Sequence, residues 1–336
     1  MTRKSISEIA KSRHMKIIWD IDRTIAFAFT NEPSLEKIKE NYPWVIEFEK
    51  RGLLIHANNW HVILPGVIEL IKWQDQNDIL FDFFSSGIKQ RNQLLITTLL
   101  ILALGQERYS QIAPGLQILS RKDLDDHPSY YTKIKNLRYV TGFKEHGNNI
   151  LLVDDNKDCI DPLQLRNVLL IEGVDERNFS SMEHSVINSV FFICGMLITI
   201  INTADGVNSS LLTALFFLQA SSQLSHYKEL ISLGESELKH MNPELVALDS
   251  SRLFSPNYAP ALPPLHHENN QRRALDAESD VARNDIKKEE SWLRKHELHF
   301  FHEMRDLIRV EKICRINLEK CYGNDCQLLE RHAFQA

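Results

Sequence analysis

The chain has 336 residues, 43% of them hydrophobic and 25% charged, which is the composition of a soluble globular protein and the length of roughly two domains. A net charge of -6 and the lack of any RNA or DNA signature exclude a nucleic-acid binder. Five irregularly spaced cysteines point to a reducing compartment rather than a disulfide framework. The opening MTRKSISEIAKSRH carries no apolar run, so no classical signal peptide is expected.

Along the chain, Lys16–Trp19 (KIIW) reads as a buried strand that runs directly into Asp20-Ile21-Asp22-Arg23-Thr24. In an open parallel sheet the carboxyl ends of the strands form the ligand crevice. Two acidic side chains there repel unless a metal or a proton lies between them. Taken alone, the same pattern is equally an Asp-rich turn capping the next helix. Residues 30–60 suffice for a flap or a short helical insert but not for a large domain. Phe27, Phe29, Tyr42, Trp44 and Trp60 either line a groove for an aromatic ring or belong to the core. Pro65 and Gly66 break the chain, and Val67, Leu70 and Ile71 then recur at helical spacing.

Ile79–Phe84 is the second strand, and it runs into Ser85-Ser86-Gly87. A hydroxyl beside a glycine at a helix start suits an oxyanion or phosphate, although taken alone it suits an N-cap better. A helix from Gln90 to Leu104, ending at Gly105, follows. Leu116–Leu119 is the third strand, with Arg121 just beyond it; Lys133 and Lys135 lie in YYTKIKNL. Ile150–Val153 is the fourth strand and ends in Asp154-Asp155-Asn156, a second pair of adjacent acids that needs a cation to be comfortable. Leu169–Ile171 is a candidate fifth. Strands alternating with helical patterns predict an α/β fold around a parallel sheet, with helices on both faces.

From Ser185 to Ala204 no residue is charged, a length that spans a bilayer. The segment includes Asn188, Thr199 and Asn202, and its immediate flanks lack Lys and Arg, so a buried helical hairpin with Leu211–Ala220 is the expectation. Ser255–Leu265 holds four prolines and reads as an extended linker. Residues 272–321 alternate charges with apolar residues at helical spacing (Leu298, Phe301, Leu307 and Ile308 among them), which predicts solvated amphipathic helices. The expected organisation is a core over residues 1–180, a helical hairpin over 181–250, a linker over 251–265 and a helical C-terminal module over 266–336. Cys314, Cys321 and Cys326 lack the spacing of a zinc site.

Strand-DxDxT, strand-Ser, Lys, strand-DD, in that order over residues 16–160, resembles the haloacid dehalogenase superfamily, and within it the aspartate-nucleophile protein phosphatases. The PGV segment before the second strand is similar too. The resemblance implies a Rossmann-like core, Mg2+ as cofactor, and Asp20 as the nucleophile that forms an aspartyl-phosphate. It makes Asp22 the acid and base, with a pKa that crowding by Asp20 would raise. Ser85 and Lys135 would hold the phosphoryl group, Lys135 being preferred to Lys133 because K-N-L resembles the K-D-L of the protein phosphatases. Thr24, Ser86, Gly87 and Arg121 fall to substrate binding, and Asp20, Asp22 (through its carbonyl), Asp154 and Asp155 to the metal.

The short interval between the first two motifs implies a capless, open site and hence a phosphorylated protein substrate, phosphotyrosine ahead of phosphoserine, phosphothreonine or a small molecule. The apolar segment and helical tail look like the phosphatase effectors that intracellular bacterial pathogens translocate into host cells. That likeness implies a cytoplasmic or host-delivered protein, with Arg272, Arg273, Lys287, Lys288, Arg294 and Lys295 available to an anionic or phosphoinositide membrane. The alternative of another class is a membrane-targeting or scaffolding protein whose core is incidental.

Overall fold

The computed structural model describes residues 4–31, 33–126, 133–171, 173–176, 185–220 and 227–245. In chain order the elements are α1 (Ile6–Arg13), β1 (Lys16–Trp19), β2 (Ala26–Ala28), α2 (Leu35–Asn41), α3 (Val45–Lys50), β3 (Leu54–Ala57), β4 (Asn59–Ile63) and α4 (Val67–Gln76). They continue with β5 (Leu80–Phe84), α5 (Lys89–Ile112), β6 (Ile118–Leu119), β7 (Asp125–Asp126), β8 (Lys133–Ile134), α6 (Phe143–His146), β9 (Ile150–Asp154) and β10 (Val168–Leu170). Three helices close the described chain: α7 (Ser185–Gly206), α8 (Leu211–Ala220) and α9 (Tyr227–Lys239).

Five strands form one sheet in the order β10-β9-β1-β5-β6, and every neighbouring pair is parallel. β1 is buried along its whole length, which is why Ile17, Ile18 and Trp19 follow one another as apolar residues rather than alternating with polar ones. Alternate residues serve opposite faces. Ile17, Trp19, Phe83, Leu151 and Val153 join the large core built with α1, α4, α5, α7 and α9. Ile18, Phe84, Ile150 and Leu152 face a smaller core with Leu137, Val140, Phe143 and Ile160. The fold is therefore an α/β parallel sheet covered on both faces, with long helices on one side and short turns and α6 on the other. Trp19 lies level with both Phe83 and Val153, so β1, β5 and β9 deliver Asp20, Ser85 and Asp154 to one rim of the sheet.

Between the first two motifs the insert is more elaborate than a flap. β2, β4 and β3 make a three-stranded antiparallel sheet, with α2 and α3 in the connection. Phe27 and Phe29 are core residues of this module, which removes them from any groove, while Tyr42, Trp44 and Trp60 pack part-buried against the core. The helix expected to end at Gly105 does lose helical geometry there (φ 81°, ψ 161°), and a further helical stretch resumes to Ile112. β6 is shorter than expected at its start because the Gln117 N–H goes to the Asp82 carboxylate (2.8 Å), which also takes Lys16 Nζ (2.6 Å).

Ser189–Gly206 is long and apolar enough to cross a membrane, with a mean hydropathy of 1.5, yet 67% of it is buried inside the protein. α8 follows α7 as the second apolar run, but the tightest packing of α7 is against α9. A Cβ on Gly195 would lie 2.0 Å from the Leu230 carbonyl oxygen, and one on Gly234 1.9 Å from that of Phe191. The two helix backbones touch there, an approach that only glycine permits. Residues 251–265 and 266–336, with the basic side chains from Arg272 to Lys295, lie outside the described residues.

Candidate active site

Asp20 follows β1 and is 5% exposed, its N–H bonded to the Val153 carbonyl (3.0 Å). The Thr24 hydroxyl donates to its Oδ2 (3.2 Å), closing the turn over the strand end. Lys135 Nζ lies 2.5 Å from Asp20 Oδ1 and 2.6 Å from Asp154 Oδ2. Lys135 is 2% exposed and held by its own backbone, with its N–H on Cys159 O (2.7 Å) and its carbonyl receiving Asp161 N–H (3.0 Å). Lys133 instead projects from β8 to Asp126 (2.5 Å), with half its side chain in solvent. Of the two lysines, Lys135 is the one that reaches Asp20 and Asp154. Burial, together with the negative charge of Asp154, raises the Asp20 carboxyl above the usual range against the pull of Lys135.

Asp22 is built differently. Arg91, in the first turn of α5, donates from Nη1 to Oδ1 (2.5 Å) and from Nη2 to Oδ2 (2.6 Å), and the Ser85 hydroxyl adds a bond to Oδ2 (3.0 Å). Burial pushes this carboxyl up, but the Arg91 hydrogen bonds and charge outweigh it, so its pKa is lowered. Sequence crowding with Asp20 predicts the opposite sign; the partner that reverses it is a residue the motifs do not contain. Ser85 itself is fully buried, and it receives the Gly87 N–H (3.0 Å) on Oγ. That bond occupies the backbone donor expected to face a ligand. Ser86 is exposed at the mouth, and Arg121 ties this turn together, its Nε donating to Ser86 O (3.0 Å) and its N–H to Gly87 O (2.9 Å).

The second acidic pair divides its work. Asp154 takes Lys135, while Asp155 faces Arg23, whose Nε is 3.5 Å from its Oδ2. Arg23 adopts a left-handed backbone (φ 67°), held by Arg23 N–H to Ala26 O (2.6 Å) and Val174 N–H to Arg23 O (2.8 Å). Burial first, and then the Asp154 charge, push the Asp155 carboxyl up to about 6. Oxygens of Asp20, Asp154 and Asp155 all lie within 4.8 Å of one another, a hard three-carboxylate donor set that fits a divalent cation such as Mg2+. The Asp22 carboxylate is no part of that set, being committed to Arg91 and Ser85.

Arg91 and His61 escape a motif-based reading. A signal for Arg91 does exist in the sequence: a cation in the first turn of a helix opposes the helix dipole and needs a reason to be there.

No protein-family model matches the chain, and no curated protein matches it. Among solved structures it is similar to fission yeast RNA polymerase II CTD phosphatase Fcp1, an arginine-to-alanine variant bound to beryllium fluoride, at 12% identity and a TM-score of 0.34, covering 72% of this chain and 70% of that one. A second structure, titled as Fcp1, an essential RNA polymerase II CTD phosphatase, aligns at 13% identity and a TM-score of 0.33, with the same coverage of 72% and 70%. Likeness at that level carries no inference about chemistry, which rests on the side chains above.

Proposed function

We propose that this protein is a magnesium-dependent phosphatase of the haloacid dehalogenase type that works through an aspartyl-phosphate on Asp20, with phosphotyrosine in proteins as its leading substrate. The observation that carries this is the buried Asp20–Lys135–Asp154 set, with Ser85 at the end of the neighbouring strand on the same sheet rim. Asp20 supplies the attacking carboxylate, and Lys135 and Ser85 hold the phosphoryl oxygens. Asp22 is the acid and base of this reading. Ionised while Arg91 and Ser85 hold it, it must be released and take up a proton before it can give one to the leaving oxygen, and it then takes one from the water that hydrolyses the intermediate. A divalent cation held by Asp20, Asp154 and Asp155 would neutralise phosphoryl charge and favour the ionised form of Asp20.

Substrate choice follows from depth. The nucleophile is nearly buried, whereas the Asp22 side chain is 35% exposed. A phosphoryl group carried on a rigid ring reaches such a floor from a protein surface more readily than one on a serine. The test is turnover of phosphotyrosyl, phosphoseryl and phosphothreonyl peptides beside sugar and nucleotide phosphates, with Mg2+ and with EDTA. Preference for a small metabolite overturns the protein substrate, and EDTA-resistant turnover overturns the metal.

Two further outcomes are expected. Asp154→Asn combined with Asp155→Asn raises the Mg2+ requirement or eliminates activity, because two of three anionic ligands are lost. A magnesium titration that overlays the parent curve would misplace the site. The pH dependence has a definite sign. With the Asp155 carboxyl raised to about 6, a proton occupies it below that pH and must leave before a cation binds. Apparent Mg2+ affinity therefore weakens by up to about tenfold per unit as pH falls below the Asp155 pKa, read by calorimetry at about pH 5 and about pH 7.5.

A further inference from the structure

Arg91 is far better placed than a tether for one aspartate requires. Arg91 is 8% exposed, and its guanidinium makes four polar contacts: both Asp22 oxygens, Ser85 Oγ (3.4 Å, from Nη2) and His61 Nε2 (3.3 Å, from Nη1). His61 Nδ1 lies 2.8 Å from the Asn59 carbonyl oxygen, which only accepts, so Nδ1 carries the ring proton. Burial and the Arg91 charge lower the His61 pKa, leaving a neutral ring whose Nε2 lone pair accepts from Arg91. Gly87 clears the space: a Cβ there would sit 1.6 Å from Arg91 Nη2 and 2.5 Å from Cζ. Strand β4, the turn after β5 and the first turn of α5 thus converge on the position of one cation.

Burying a guanidinium at a helix N-terminus incurs a desolvation penalty and opposes the helix dipole. What such a planar fork offers in return is two parallel N–H donors spaced for the two oxygens of a carboxylate or a phosphate. Asp22 fills that fork with a carboxylate, and the shared Ser85 hydroxyl is the phosphoryl-binding hydroxyl of the reading above. We propose that Arg91, oriented by His61, is a ligand of two phosphoryl oxygens in this site, and that the Asp22 carboxylate occupies the fork until a phosphate dianion displaces it. This rests on the phosphatase reading. No covalent bond changes in the exchange: the Nη1 and Nη2 hydrogen bonds pass from Asp22 to the phosphoryl group, and Asp22 is freed toward the leaving oxygen. Arg91 touches substrate, whereas His61 is a positioning residue acting through it.

The test uses the full chain with Mg2+, 4-nitrophenyl phosphate as substrate and inorganic phosphate as inhibitor and as calorimetric ligand. Arg91→Lys keeps the charge and loses the fork; KM and the inhibition constant of phosphate are expected to rise together by about tenfold or more, with a smaller fall in kcat. His61→Gln donates to the Asn59 carbonyl and accepts from Arg91, and stays near the parent. His61→Leu lacks the acceptor and follows Arg91→Lys. If Arg91→Lys leaves KM and phosphate binding unchanged in an active enzyme, Arg91 only holds Asp22 and the proposal is overturned. Should Arg91→Lys fail to fold, the His61 pair decides: glutamine and leucine variants that behave alike also overturn it. A wild type that binds phosphate through Arg91 yet turns nothing over keeps the anion site and loses the phosphatase reading. A wild type that does neither loses both.

Discussion

Asp20→Asn is expected to abolish turnover while leaving the protein folded. A carboxamide is not a usable nucleophile, so no aspartyl-phosphate forms, and a loss of about a thousandfold or more follows from removing the covalent step. The fold survives because the polar contacts can be kept. The asparagine oxygen still accepts from Lys135, its amide can donate to the Thr24 hydroxyl, and Asp154 continues to pair the lysine. Thermal unfolding close to the parent, together with less than a few per cent of parental activity on a purified sample, is the expected result. Activity above that level would remove Asp20 from the reaction.

Lys135→Met is expected to have the largest effect on stability. The side chain is nearly the size of lysine, so the loss is of charge rather than of volume. It leaves Asp20 and Asp154 buried and facing each other without the ammonium that lies 2.5 Å and 2.6 Å from them. Breaking a buried ionic set by removing one member costs about 3–5 kcal/mol. That is a large share of the roughly 5–15 kcal/mol that separates folded from unfolded domains. Mg2+ should recover part of the loss, because a cation among the same carboxylates relieves the same repulsion. Urea unfolding with and without Mg2+ reads both effects. A variant as stable as the parent, or one indifferent to Mg2+, would show that these two carboxylates do not repel each other as like charges.

How far the sequence was legible depended on how local each feature is. β1, β5 and β9 are apolar runs that end on Asp20, Ser85 and Asp154, and a strand end is a local event. The three small strands of the insert are not legible, because each is only three to five residues long and polar residues interrupt β3 and β4. Lys133 and Lys135 are two residues apart and share a face in any extended segment, so alternation could not separate them. What separates them is that β8 stops at Ile134 and Lys135 crosses to pair with Ile160. The sign of the Asp22 shift was invisible for a different reason. The nearest neighbour in sequence is another acid, while the deciding partner, Arg91, lies 69 positions away. Electrostatics is set by distance in space, and motifs record distance along the chain.

The meeting of Gly195 with Gly234 has a bearing on how this sequence can drift. Most tight contacts tolerate exchange, because a larger side chain on one helix is answered by a smaller one opposite. Here the obstacle on each side is a main-chain carbonyl, of Leu230 facing Gly195 and of Phe191 facing Gly234. No substitution elsewhere can make a peptide oxygen smaller, so neither glycine has a compensating partner. The pair is then a second fingerprint of this architecture, independent of the acidic motifs. A distant homologue that had lost the acidic motifs would still be recognisable by it.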